Sequence, residues 1–164
     1  LANQAEITSF AARGVLLVLL LSVIFGIVFG ITPMKNNDMS PGIGAGDLLL
    51  YFRLENELRA QDIVVWEEAG TEYVGRIVAQ GGDAVEITED YRLKINGSVV
   101  IENNIYYSTP RYDSGVEYPL TLGEDQYFIL CDYREGGKDS RYCGAVDRSE
   151  IKGKVITVIR RNNL

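Results

Sequence analysis

Residues 1–14 form a polar stretch, and residues 15–31 an apolar run broken only by Ser22, Gly26 and Gly30. Seventeen residues at a helical rise cover about 26 Å, a little less than the roughly 30 Å of bilayer hydrocarbon. Residues 10–12, with Arg13 snorkelling toward the interface, lengthen the span. Thr32-Pro33 then ends the predicted helix. A cleaved signal peptide would have a shorter apolar core and a small-x-small site, and residues 29–33 offer a poor one. The pattern predicts a single-pass anchor over 15–31, with a tail at 1–14 and one further domain at 32–164. The chain begins at Leu1, so further residues are expected upstream.

Beyond Pro33 the pattern becomes strand-like. Residues 47–54, 62–67, 71–79, 84–88, 91–95, 98–101, 125–131 and 153–159 are short runs rich in Val, Ile, Tyr and Leu. Asn96-Gly97 marks a hairpin, and Gly81-Gly82-Asp83 a second turn. Residues 54–60 carry a faint helical pattern. Residues 103–124 hold Pro110, Gly115, Pro119 and Gly123 and read as a long irregular excursion. The expected fold is mainly β, with coiled or barrel-like sheets behind the N-terminal helix.

Composition narrows the chemistry. The 164 residues carry 16 Lys and Arg against 23 Asp and Glu, a formal charge of −7, so the basic footprint of a nucleic-acid binder is missing. Histidine is absent. That removes Ser-His-Asp and Cys-His catalysis and histidine-ligated metals together. No metal or other cofactor is expected. The two cysteines, Cys131 and Cys143, are not spaced as CxxC. They admit two readings: a disulfide outside the cell, or two small buried thiols, the second slightly favoured.

Three stretches carry candidate chemistry. The first is Asn36-Asn37-Asp38-Met39-Ser40-Pro41, followed by Gly46-Asp47. The second is Tyr73-Val74-Gly75-Arg76, running into Gly81-Gly82-Asp83. The third runs from Cys131-Asp132-Tyr133-Arg134 through Gly137 to Asp139-Ser140-Arg141. In order and spacing behind an anchor, they resemble the three boxes of bacterial type I signal peptidases, which are membrane-tethered serine–lysine proteases. That chemistry needs a lysine amine kept neutral by apolar burial beside a serine, and donors facing the developing oxyanion. The resemblance puts Asp38 at the nucleophile's position and Gly75 at the base's. Gly137 stands where a serine would orient the lysine. Asn36 takes the position that helps form the oxyanion hole, and its amide is a potential donor. Met39, Pro41, Gly46, Asp47, Asp132, Arg134, Asp139, Ser140 and Arg141 match the boxes in place.

Other chemistries fit less well. An aspartic pair of Asp38 with Asp132 or Asp139 would have to share a proton, and the resemblance ties Asp139 to Arg141. Ser40 can share the face of Asp38 on an extended segment. However, Lys35, Lys94, Lys138, Lys152 and Lys154 all lie in polar sequence contexts. For Asp38, an exposed turn role and a ligand contact are equally weighted. Gly75 is expected to leave room on the cleft floor. On that view, Asp38→Ser with Gly75→Lys would regain some proteolysis.

The resemblance implies a groove without catalysis, in which a peptide adds as a strand between 33–38 and 72–74. The expected cleft residues are Met34, Lys35, Asn36, Asp38, Met39, Tyr73, Val74 and Gly75. Asp132, Asp139, Ser140 and Arg141 are expected to be structural. The resemblance also sets the N-terminus inside, residues 15–31 in the lipid bilayer and the β domain outside. It extends to signal-peptidase-like proteins lacking serine and lysine that are encoded with Gram-positive, particularly streptococcal, pilus clusters. The implied role is assistance to sortase-driven pilus assembly, with a pilin or the sortase as partner. The alternative is a divergent active signal peptidase or endopeptidase that processes pilin precursors.

Overall fold

The computed structural model describes residues 2–113 and 115–160. Helix α1 (Ala2–Val23) runs into a π-helical turn, Ile24–Val28. Residues 3–28 form the one helix, among those described, that is long and apolar enough to cross a membrane. At 26 residues it reaches about 39 Å. Val15, Leu16, Leu19, Phe25 and Ile27 stand exposed along it, an apolar surface of the kind a membrane anchor or a signal sequence presents.

The helix limits differ from the expected 15–31. Residues 2–14 are helical rather than a separate tail. Residues 29–31 belong to strand β1 (Phe29–Pro33), so the β domain begins before residue 32. Hydropathy cannot separate a buried strand from a continuing helix, and long-range pairing decides here. Strand β1 pairs antiparallel with β2 (Leu48–Phe52), setting Phe29 opposite Phe52 and Ile31 opposite Leu50. Gly30 lies under the Tyr51 ring, where a Cβ would come within 2.1 Å of a ring carbon.

The remaining strands are β3 (Ile63–Glu68), β4 (Thr71–Gln80), β5 (Ala84–Ile87), β6 (Leu93–Ile95), β7 (Ser98–Val99), β8 (Leu120–Thr121), β9 (Gln126–Leu130), β10 (Val146–Asp147) and β11 (Ile151–Ile159). A seven-stranded antiparallel sheet runs β1-β2-β11-β3-β4-β9-β10, and a four-stranded sheet runs β7-β6-β5-β8. All eight expected strands form, several of them shorter. Strands β1, β8 and β10 and the one-turn helix α2 (Ser140–Cys143) lay outside the sequence pattern. Residues 54–60 are not helical. The Glu55 carboxylate accepts from the Glu57 amide and the Asp62 carboxylate from the Arg59 amide, so side chains take up backbone donors that a helix would use.

Two features of this sheet create the site. Strand β4 pairs with β3 over residues 71–76, but β9 joins its other edge only from Arg76 onward. Residues 71–74 therefore have β3 on one side alone. Facing them is the loop that leaves β1, held at its base by Met34 and Asp47 (N···O 2.8 Å) and by Gly46 and Met34 (2.8 Å). Met34, Met39, Ile43 and Leu49 pack into one buried cluster that fixes this loop to the sheet.

Candidate functional site

Met39 is fully buried, and its sulfur accepts the Asp132 amide at 3.4 Å. The Tyr133 amide donates to the Asp38 carbonyl at 2.8 Å. These contacts bring the first and third sequence boxes together. Asp38 itself is half-buried. Its carboxylate accepts from Asn36 Nδ2 at 2.7 Å, while Asn36 Oδ1 accepts the Asp38 amide at 3.2 Å. The Asn36 amide is thus engaged by Asp38, whereas the sequence suggested an open oxyanion donor.

Burial pushes the Asp38 carboxyl above its ordinary range. The Asn36 hydrogen bond opposes this, and the nearby Asp139 charge adds to it. A carboxyl raised in the folded state binds more protons there than in the unfolded state, so its ionisation costs stability as pH rises. We expect Asp38→Asn to melt at a higher temperature than the native protein at pH 7. That advantage should vanish below the ordinary aspartate value of 3.8. Melting curves of both proteins across pH 3–8 measure it.

Gly75 faces Val64 within the β3–β4 ladder and is buried. A Cβ there would lie 2.5 Å from Ile129 Cγ2 and 3.3 Å from the Leu130 carbonyl. The room expected at Gly75 is therefore taken by Ile129. Gly137 has φ +86°, and its Cβ would lie 2.8 Å from Cys131 Sγ and 2.9 Å from Asp38 Cγ. The left-handed backbone and the crowding both require glycine.

The third box is a buried ionic framework. Asp139 caps α2 and accepts from the Arg141 amide (3.0 Å), Arg141 Nε (2.9 Å), Arg141 Nη2 (2.7 Å) and the Cys131 amide (3.0 Å). Arg141 also donates to the Arg134 carbonyl at 2.5 Å and lies over the Tyr112 ring. Ser140 is fully buried, and its hydroxyl accepts the Ile129 amide at 2.9 Å, so it completes β9 instead of sitting in an open turn. Asp132 holds Arg76 through two bonds, 2.8 and 2.6 Å, and this hydrogen bonding pushes the guanidinium further up. Arg134, wholly buried, reaches Glu102 at 2.7 Å and Thr109 at 2.9 Å and ties down the irregular excursion.

The same contacts bear on the other chemistries. Arg141 engages both oxygens of Asp139 and Arg76 both oxygens of Asp132, so neither shares a proton with Asp38. Lys138 pairs with Glu68 at 2.5 Å and lies 5.2 Å from the Tyr73 ring centroid. The Glu68 contact holds its ammonium above the ordinary range, the opposite of a neutral base. Both cysteines are free thiols, so the disulfide reading is not realised. Burial pushes the Cys131 thiol up, and that of Cys143 to about 12. No group of three metal-ligating side chains occurs among the described residues.

The two sheet features enclose a cleft of about 120 Å³. Thr32, Pro33, Met34, Lys35, Asn36 and Asp38 form one wall, and Thr71, Glu72, Tyr73 and Val74 the other. Six of the eight expected cleft residues line it. Met39 and Gly75 do not: Met39 is needed to anchor the loop, and Gly75 is covered by Ile129. Across the cleft, the Thr32 hydroxyl donates to Glu72 at 2.9 Å. Sequence reasoning missed Thr32 as a wall residue because it was read as the end of the apolar run.

The profile of the family described as Signal peptidase, peptidase S26, matches residues 7–159. The chain belongs to this family. Signal peptidase I of Bacillus licheniformis is 30% identical over 134 residues, covering 73% of this chain and 70% of that protein. A probable signal peptidase I-2 of Synechocystis sp. is 28% identical over 132 residues; the match covers 74% of this chain but 58% of the longer relative. The inactive signal peptidase IA of Staphylococcus aureus is 23% identical over 129 residues, 74% of each chain. The crystal structure of a signal peptidase I from Enterococcus faecalis matches with a TM-score of 0.51 at 27% identity, over 62% of this chain and 98% of that one. The β architecture is therefore the signal peptidase I fold, and the family includes relatives named as inactive.

Proposed function

We propose that the protein is a non-catalytic signal-peptidase-family member that holds an extended peptide at the membrane surface. On this reading Asp38 and Gly75 occupy the positions of the lost nucleophile and base. The observation that carries it is Ile129: its Cγ2 lies 2.5 Å from where a Cβ on residue 75 would stand, so a lysine there would have to displace it before its amine could approach residue 38. What remains is a cleft bordered by 71–74, whose second strand edge is unpaired, and such edges take up peptide backbone by strand addition.

The anchor keeps this cleft close to lipid. Pro33 lies five residues beyond Val28, at most about 18 Å of chain. The N-terminus lies inside the cell and the β domain outside. The segment held is part of an exported pilin or of the sortase, and holding it assists pilus assembly. Such a holder needs no cofactor.

A photo-crosslinking residue in place of Tyr73, in cells making pilus components, tests this reading. A crosslink to a pilin or the sortase, with no cleavage of pilin precursor by the purified protein in detergent micelles, is expected. The alternative, a divergent endopeptidase, draws support from the relatives named signal peptidase I. It predicts a cut precursor and complete loss of cutting in Asp38→Ala, and that result would overturn the proposal.

A further inference from the structure

Buried charge around the cleft is mostly neutralised by ion pairing. Asp139 has Arg141, Asp132 has Arg76, Glu102 has Arg134 and Glu68 has Lys138. Asp38 is the exception. It is half-buried, and among the described residues its carboxylate receives only the neutral Asn36 amide and the one charge acting on it from nearby is the carboxylate of Asp139. On the opposite wall Glu72 is met by the Thr32 hydroxyl. The only cation on the lining, Lys35, is exposed and forms no ion pair with either carboxylate.

Backbone pairing along an unpaired edge is indifferent to sequence, so selectivity falls to the side chain that enters the cleft. At about 120 Å³ the cleft takes a side chain, not a whole strand. An apolar side chain would strip water from two carboxylates and return nothing. An acidic one would add a third negative charge. A long basic side chain would answer both walls with charge-assisted hydrogen bonds and supply the counter-ion that Asp38 lacks.

We propose that the cleft selects an extended segment bearing a basic residue, whose ammonium or guanidinium is received by Asp38 and Glu72. This inference rests on the peptide-holding reading above and narrows its ligand class.

The test uses the full chain in detergent micelles and fluorescence anisotropy. The probes are labelled heptapeptides, Ser-Val-Thr-Xaa-Thr-Val-Ser, with Xaa lysine, arginine, norleucine or glutamate. Norleucine keeps the lysine stem without its charge. The lysine or arginine peptide should bind roughly tenfold to a hundredfold tighter than the norleucine peptide, the range for hydrogen bonds to charged groups. Asp38→Asn combined with Glu72→Gln should erase that difference and leave norleucine binding in place. Were the double variant to fail to fold, Asp38→Asn alone carries this arm, with partial loss expected.

Equal binding of the lysine, arginine and norleucine peptides would overturn the basic-residue inference and leave the peptide-holding reading intact. So would a preference for lysine that survives the double variant, since the net charge of −7 would then account for it. If none of the four peptides binds, the peptide-holding reading itself fails and this inference with it.

Discussion

Arg141→Ala is expected to destabilise the β domain by about 3–5 kcal/mol, the usual cost of leaving one partner of a buried ion pair alone. That is a large share of the roughly 5–15 kcal/mol that holds a domain folded. Arg141 and Asp139 are both at most 1% exposed, so neither water nor salt can replace the lost partner. The substitution would strand a carboxylate that also receives the Cys131 amide, and it would free the Arg134 carbonyl. Arg141→Lys keeps the charge but not the two-pronged geometry, so an intermediate loss is expected. Arg59→Ala is the contrast. Its pair with Glu57 is about three-quarters exposed on both sides, and it should change stability by less than about 1 kcal/mol. The protein has one tryptophan, Trp66, which is 1% exposed, so its fluorescence during urea unfolding reports on the folded domain directly. A native-like unfolding midpoint for Arg141→Ala would show that the third box is not the structural framework described above.

That framework was legible in the sequence as a pattern but not as a mechanism. Asp132, Asp139, Ser140 and Arg141 stood in place as motif residues. Only the fold shows that Asp132 serves Arg76, 56 residues away, and that Ser140 completes a strand hydrogen bond to Ile129. Runs rich in Val, Ile, Tyr and Leu, with turn residues between some of them, marked eight strands because such side chains suit a pleated, packed surface. Strand β1 escaped because its apolar residues continue the helix without a change in hydropathy, and its partner β2 lies some 20 residues further on. Strands β8 and β10 are two residues long, too short for any period to show. Residues 33–36, 38 and 72–74, from the two stretches expected to form walls, border one cleft in the fold. What sequence could not reveal was depth. Met39 and Gly75 sit within motifs that border the cleft, but the Met39 side chain packs into the core and a Cβ on Gly75 would meet Ile129. The filling of the space beside Gly75 depends on Ile129, which belongs to none of the three motifs.

Ile129 also decides what happens if the lost serine and lysine are put back. Asp38→Ser with Gly75→Lys is expected to give a destabilised protein without protease activity, contrary to the simple expectation that an open cleft awaits a base. Gly75→Ala alone places a carbon 2.5 Å from Ile129 Cγ2, and overpacking of this kind costs about 1–3 kcal/mol. Lysine adds a longer stem and an ammonium beside a cluster formed by Leu58, Val64, Trp66, Ile77, Ile129, Val146 and Ile151. Ile129 cannot step aside cheaply, because it is fully buried within that cluster. Shortening it by Ile129→Ala in the same protein should recover part of the lost stability by making the space the lysine needs. An amine placed there would still lack the serine that orients it, since Gly137 has no room for a Cβ between Cys131 and residue 38. Thermal melting and cleavage of a fluorogenic signal-sequence peptide read the two effects separately. Cleavage by the protein carrying only Asp38→Ser and Gly75→Lys would mean that Ile129 yields to the lysine, and the claim that the catalytic space has been filled would have to be abandoned.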